Sequence, residues 1–426
     1  MEHRMSESRA KRALLFATLA FAANFSVWTL YAAIVLPLSS QWQLTVTELG
    51  GLLAAPMFTG ALSRIPAGEL ADRYSAKVLF VVQMLVCVPA LACLYITRSY
   101  SQLLFLGLWI GLSGSSFTLG IRYVCDFYQR SQQGTAMGIF GVGNAGAAIT
   151  LVLAPWLMER YGWQWVGPVY AFGLLFVAVL YGVFAPSQPD NAHVINSKPQ
   201  TWTLLLKNTQ VWRLGLYYYF VFGSFLALLL WLPYYYMQAY QLSIKQAMAF
   251  TLFFVATSSV IRALGGWFAD KYGGRSVNWS VFWVCLVCLF FLSYPPTTMT
   301  IHGIKQDVNL SVSVNVWVFT GLLFVIGLAQ GFGRASVFKV IHENYPLEMG
   351  KVGGFIAAIG ALGGFTLPIM FGAVVDLFGF YSASFMLLYA VLAVCMMLMY
   401  FAVRAERYQR RLNEAASYNF LEDDSL

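Results

Sequence analysis

Long apolar runs separated by short polar breaks occupy nearly the whole chain, and that spacing predicts helices that cross a membrane. Twelve such runs, each of about 20 residues, begin near Leu14, Leu49, Val78, Leu103, Ala136, Val166, Val211, Ala247, Val277, Val316, Val352 and Ser384. Barrel strands would alternate apolar and polar positions over short stretches, which these runs do not do. The widest polar break, Pro186–Gln210, carries three prolines and falls between spans six and seven. Residues 1–185 are thus an expected N-terminal six-helix domain, 186–210 a cytoplasmic linker, 211–404 a C-terminal six-helix domain and 405–426 a cytoplasmic tail. Pro295–Ser313 reads as an external loop between spans nine and ten, and the tail, basic and then acidic, reads as frayed.

Composition sharpens this picture. The chain is 59% hydrophobic and 10% charged, with mean hydropathy +0.66. A soluble domain would be roughly a quarter charged, so the class is integral membrane protein. The net charge of +8 is informative by location. With the N-terminus inside, 17 lysines and arginines fall on the cytoplasmic side, and only Arg98, Arg160, Lys245 and Lys305 fall on the other. That bias predicts both termini in the cytoplasm, and no nucleic-acid partner is needed to explain the basic character. Met1–Arg12 leads directly into the first span, so no cleaved leader is expected. The six cysteines lie in spans or at span ends, and Cys285-x-x-Cys288 has no second pair or histidine nearby, which argues against a disulfide framework or a metal site. Without a nucleophile–base pair, metal cluster or nucleotide loop, neither an enzyme nor a cofactor is expected.

Two arginines break the apolar pattern, and they are copies. Arg64, Gly68, Asp72, Tyr74 and Lys77 recur as Arg262, Gly266, Asp270, Tyr272 and Arg275 at a constant offset of 198. Gly111-Leu112, Gly134 and Gly138 recur as Gly327-Leu328, Gly350 and Gly354 at an offset of 216. The repeat predicts two related halves. Each arginine precedes its aspartate by eight residues, or roughly 12 Å of helix, too deep to reach the interface easily. No Asp or Glu lies at that depth in any span, so a buried ion pair lacks its carboxylate and an anion site is favoured.

The block Gly68-Glu-Leu-Ala-Asp72-Arg73-x-x-x-Lys77, with its copy after span eight, resembles the loop signature of the major facilitator superfamily. Its charges, Asp72, Arg73, Asp126, Asp270, Lys271 and Glu343, are expected to form a cytoplasmic latch. In it Arg73 would pair with Asp126 and Lys271 with Glu343, stabilising an outward-facing state. The glycine-rich segments Gly138–Thr150 and Gly353–Phe365, with Gly331–Lys339 in span ten and Tyr218–Phe225 in span seven, resemble the nitrate/nitrite porter family.

That resemblance implies an all-α fold of twelve transmembrane helices in two pseudo-symmetric six-helix domains that rock about a central site. It implies that Arg64 and Arg262 clamp a planar anion, that Phe117, Tyr218 and Phe222 sandwich it, and that Asn144, Gly143 and Gly360 line the site. Guanidinium forks suit a trigonal oxyanion. The expected activity is nitrate/nitrite transport across a bacterial-type inner membrane, by a monomer whose partners are a small anion and the lipid bilayer. Two departures stand out, Arg122 and Arg334, whereas Lys339 is retained. Arg122 precedes Asp126 by four residues, so it either pairs along the helix or joins the cavity with Lys339. Arg334 lies near the depth of the clamp, where added positive charge favours a larger or multivalent anion. No span carries a mid-membrane carboxylate or histidine, since His342 sits at a span end, so exchange is expected over a protein-borne proton relay. A carrier of larger organic anions and a non-transporting anion sensor are the competing readings.

Overall fold

In lipid the backbone must bond to itself, so the apolar runs fold as helices. The computed structural model describes residues 2–128, 130–188, 206–302, 306–345 and 349–423, and outside this set lie the side chains of 2–6, 130–135, 349–351 and 412–423 and single ones elsewhere, those of Asp72, Asp270 and His342 among them. Span one is α1 (Glu2–Trp28) with α2 (Tyr31–Gln41), span two is α3 (Val46–Leu62) with α4 (Arg64–Arg73), and span three is α5 (Ala76–Cys93). Span four is α6 (Tyr100–Ile110) and α7 (Ser116–Cys125), joined by the 3-10 segment Gly111–Ser115. Span five joins α8 (Arg130–Gly141) to α9 (Gly146–Tyr161) through the 3-10 segment Val142–Ala145, and span six is α10 (Val166–Phe184).

The second half opens with α11 (Thr209–Tyr218), a π-helical turn at Tyr219–Gly223, and α12 (Ser224–Tyr240), together span seven. Spans eight to twelve are α13 (Ile244–Tyr272), α14 (Gly274–Leu292), α15 (Val316–Asn344), α16 (Met349–Phe378) and α17 (Ala383–Asp423). Among the described residues, eleven helical stretches are long and apolar enough to cross a membrane. The twelfth, span two, is interrupted at Ser63, next to the charged stretch that begins with Arg64. The helices start where the sequence supplies caps: Thr45 with Glu48 and Ser243 with Gln246 form reciprocal capping boxes for α3 and α13.

Two regions depart from the sequence reading. The external loop contains a hairpin, β1 (Thr297–His302) against β2 (Asp307–Val312), antiparallel with Thr297 opposite Val312 and His302 opposite Asp307. The alternation of threonines with Met299 and Ile301 suits a strand. The tail continues α17 as helix to Asp423, a stretch rich in Arg, Glu, Leu and Ala. The linker expected at 186–210 falls largely outside the described residues.

The two halves meet along two seams, span two against span eleven and span five against span eight, each the swapped image of the other. Glycines let the first seam close: a Cβ on Gly50 would overlap the carbonyl of Pro368, and one on Gly372 would overlap that of Val46. At the side away from the termini, the Asp376 carboxylate at the end of α16 accepts from Val46 N (3.2 Å), Thr47 N (2.8 Å) and Thr47 Oγ1 (2.5 Å) at the start of α3. Lys245 pairs with Glu159 on the same side. The remaining polar contact that crosses the seams between described residues comes from Arg64.

Candidate anion site

Arg64 starts α4 directly after the one-residue interruption at Ser63 and is only 2% exposed within the bundle. Nε donates to Gly114 O (3.2 Å) in the 3-10 segment of span four, and Nη1 donates to Ala357 O (3.1 Å) of α16, in the other half. Three rings surround the guanidinium: Trp28 at 5.2 Å, Phe117 at 5.4 Å and Phe222 at 5.6 Å. Trp28 is itself fixed by donating Nε1–H to Pro56 O at 2.8 Å.

Arg262 reaches the same place from the opposite half, about two-thirds of the way along the unbroken α13. Its guanidinium lies 5.7 Å from the Phe117 ring, and a Cβ on Gly141 would stand 3.3 Å from it. The residue is 8% exposed, and among the described residues it has no hydrogen-bond or ion-pair partner. One ring thus carries both cations. Tyr218 and Phe222 stack at 5.1 Å above Gly360, where any Cβ would overlap Tyr218, so the glycine is what lets these rings lie flat on span eleven. Asn144 is 1% exposed in the 3-10 segment of span five, and neither its Nδ2 nor its Oδ1 has a partner among the described residues. Gly143 packs against Phe21, which stacks on Phe140 (4.7 Å) and leans on Phe117 (5.6 Å), so it serves the site through Phe21 and does not line it directly.

Arg334 is fully buried beneath these groups. It donates from Nη2 to the Ser258 carbonyl and to Ser258 Oγ (2.7 Å) and from Nε to Gln330 O (3.4 Å), and it stacks 4.1 Å from Phe225. Arg334 and Arg262 stand on turns of α15 and α13 that pack tightly together, since a Cβ on Gly331 would overlap the Ile261 side chain and stand 3.5 Å from Arg262 N. Among the described residues, the buried charged residues are these three arginines, and the one carboxylate whose side chain is nearly covered, Asp126 at 5% exposure, is paired with Arg122 at the span end.

The other charged candidates sit elsewhere. Arg122 pairs with Asp126 one turn on, and Asp126 also accepts from Gln188 Nε2. Lys339 lies 3.8 Å from Glu343. Both cations therefore belong to span ends and not to the cavity. In this structure local i,i+4 geometry gives Asp126 to Arg122 and Glu343 to Lys339, whereas the Arg73–Asp126 and Lys271–Glu343 latch was expected of the outward-facing state. Lys271 instead lies over the rings of Trp267 (5.1 Å) and Tyr272 (5.4 Å). The sequence reading missed Trp28, Gly141, Phe225 and the two carbonyls that hold Arg64. A tryptophan in an apolar span and a backbone oxygen carry no signature of their own, although Gly141 lay within a segment already singled out.

A helical bundle with swapped-pair symmetry, a sealed side and a cationic core at its midpoint is the architecture of a membrane carrier. Residues 16–304 match the family described as the Major Facilitator Superfamily. "Probable nitrate/nitrite antiporter NarK1" of Thermus thermophilus is 30% identical, over 92% of this chain and 91% of its own. "Nitrite extrusion protein" of Bacillus subtilis is 27% identical, over 93% and 96%. The chain belongs to the major facilitator superfamily and, within it, to the nitrate/nitrite porter family. In fold it is similar to a bacterial homologue of the human lysosomal transporter Spinster, crystallised inward-facing and occupied (TM-score 0.70, 14% identity, 92% of this chain and 96% of the other).

Proposed function

We propose that this protein carries nitrate and nitrite across a bacterial inner membrane by alternating access, exchanging one for the other. Arg64 and Arg262 grip the anion from the two halves, Phe117 and the Tyr218–Phe222 stack form its apolar walls, and Asn144 offers an amide donor. The observation that carries this reading is Arg262: a residue only 8% exposed in the bundle, with no partner among the described residues, sharing the Phe117 ring with Arg64. A buried cation without a carboxylate is costly unless an anion visits it. Planar recognition by forked donors and flanking rings favours a small trigonal or bent oxyanion. The names of the relatives point to the same substrates.

Exchange is favoured because the charged residues buried at the site, among the described residues, are all arginines, which hold their protons, and the covered carboxylate of Asp126 is engaged with Arg122 at the span end. The positive-inside bias supports a cytoplasmic location for both termini. Segments 1–185 and 211–404 would then rock about 186–210, and the side sealed by Asp376 and by Lys245–Glu159 would be the outer one. The test is counterflow in liposomes loaded with nitrate, following labelled nitrite uptake. The wild type should exchange the two, and Arg262→Lys, which keeps the charge but loses the fork, should slow exchange roughly tenfold or more. Normal exchange by that variant, or uptake of organic acids in place of nitrate, would sink the proposal.

A further inference from the structure

Charge accounting in the core leaves a remainder. The three buried arginines bring three positive charges and no described carboxylate offsets them, while one nitrate or nitrite supplies a single negative charge. A guanidinium does not solve this by losing its proton. The donors are unevenly used. Arg64 spends two on carbonyl oxygens. Arg334 spends Nε and Nη2 on Gln330 and Ser258, but its Nη1, fully buried, has no acceptor among the described residues. Arg262 spends none. A buried N–H without an acceptor is unfavourable anywhere, and more so at membrane depth.

Arg334 and Arg262 are held together by their own half. A Cβ on Gly331 would overlap the Ile261 side chain and stand 3.0 Å from Ser258 O, so span ten lies tight against the turn Ser258–Arg262 of α13. Arg334 then bonds the carbonyl one helical turn before Arg262. This brace belongs wholly to the C-terminal half and does not change when the halves part.

We propose that a second small monovalent anion binds between Arg334 Nη1 and Arg262, so that the occluded core holds two anions at once. The first, between Arg64 and Arg262, is gripped by both halves and is released as they separate. The second touches only the C-terminal half and stays through the cycle as a resident counter-charge. The inference rests on the reading of the Arg64–Arg262 clamp as a nitrate site.

The experiment is equilibrium dialysis of the purified full-length protein against labelled nitrate in chloride-free buffer, counting anions per chain. Two should bind to the wild type, one to Arg334→Gln, and two to Arg334→Lys, which keeps the charge. One nitrate on the wild type overturns this inference and leaves the clamp intact, and that measurement needs no variant to fold. Two nitrates on Arg334→Gln would also overturn it, since the second anion would then lie elsewhere. No nitrate on the wild type would remove both this inference and the clamp reading.

Discussion

Arg64 and Arg262 are the same residue twice in the sequence and two different devices in the fold. Arg64 follows a helix break, donates to two carbonyls, one of them across the seam, and is ringed by Trp28, Phe117 and Phe222. Arg262 sits within an unbroken helix, makes no hydrogen bond among the described residues, and touches one of those rings. A repeat therefore fixes where two side chains arrive and says little about how each is held once there. The difference suggests a division of labour, with Arg64 as an anchored wall and Arg262 as the arm that answers to the anion.

The strongest test of that division compares Arg64→Gln with Arg262→Gln. Both should abolish exchange. Thermal unfolding of the anion-free protein should separate them. Arg64→Gln leaves two buried acceptors short and should cost roughly 1–3 kcal/mol, whereas Arg262→Gln removes an unpaired charge and should leave stability unchanged or raise it. Equal destabilisation by both would end the comparison. A smaller effect is expected from Phe117→Leu, which keeps an apolar wall but takes the shared π-face from both cations. Nitrate affinity should fall by about 1–2 kcal/mol, taking roughly 0.5–1 for each cation–ring contact, and titration calorimetry would read it. If only one arginine uses the ring, half that loss should be seen. The mildest change is Gly141→Ala, whose methyl would press on Arg262 alone at 3.3 Å. Affinity should weaken a few-fold with no change in melting temperature, and a stability loss like that of Arg64→Gln would mean that Arg262 is anchored after all.

Much of this was legible in the chain. The twelve apolar runs and the offset of 198 carry the fold and the paired arginines without any coordinates. The glycine-rich segments marked close approaches at the site, because only a residue without a side chain lets Tyr218 lie on Gly360 or Arg262 lie against Gly141. What stayed hidden depends on partners that have no side-chain signature. The Gly114 and Ala357 carbonyls that fix Arg64 are of this kind, and the helix break at Ser63 is of the same nature. The Arg122–Asp126 pair was legible from its spacing of four residues, since a partner one turn away needs no loop ordered to meet it. Arg334 could be placed at the right depth but not assigned a partner, since Ser258 is one of many small polar residues in the spans.

Asp376 has a consequence for the energetics of opening. Its carboxylate supplements the Thr45 cap of a helix that belongs to the other half, holding the first two amides of α3. Parting the halves on that side is therefore an uncapping reaction, in which helical N–H groups and a carboxylate exchange each other for water. Loss of a cap is worth about 0.5–2 kcal/mol, which corresponds to a population ratio between roughly twofold and thirtyfold. The neighbouring ion pair Lys245–Glu159 is half-exposed and adds little once salt screens it. A resting bias of that size tilts the carrier towards one face and leaves the other within thermal reach, so modest differential binding of an anion is enough to reverse it.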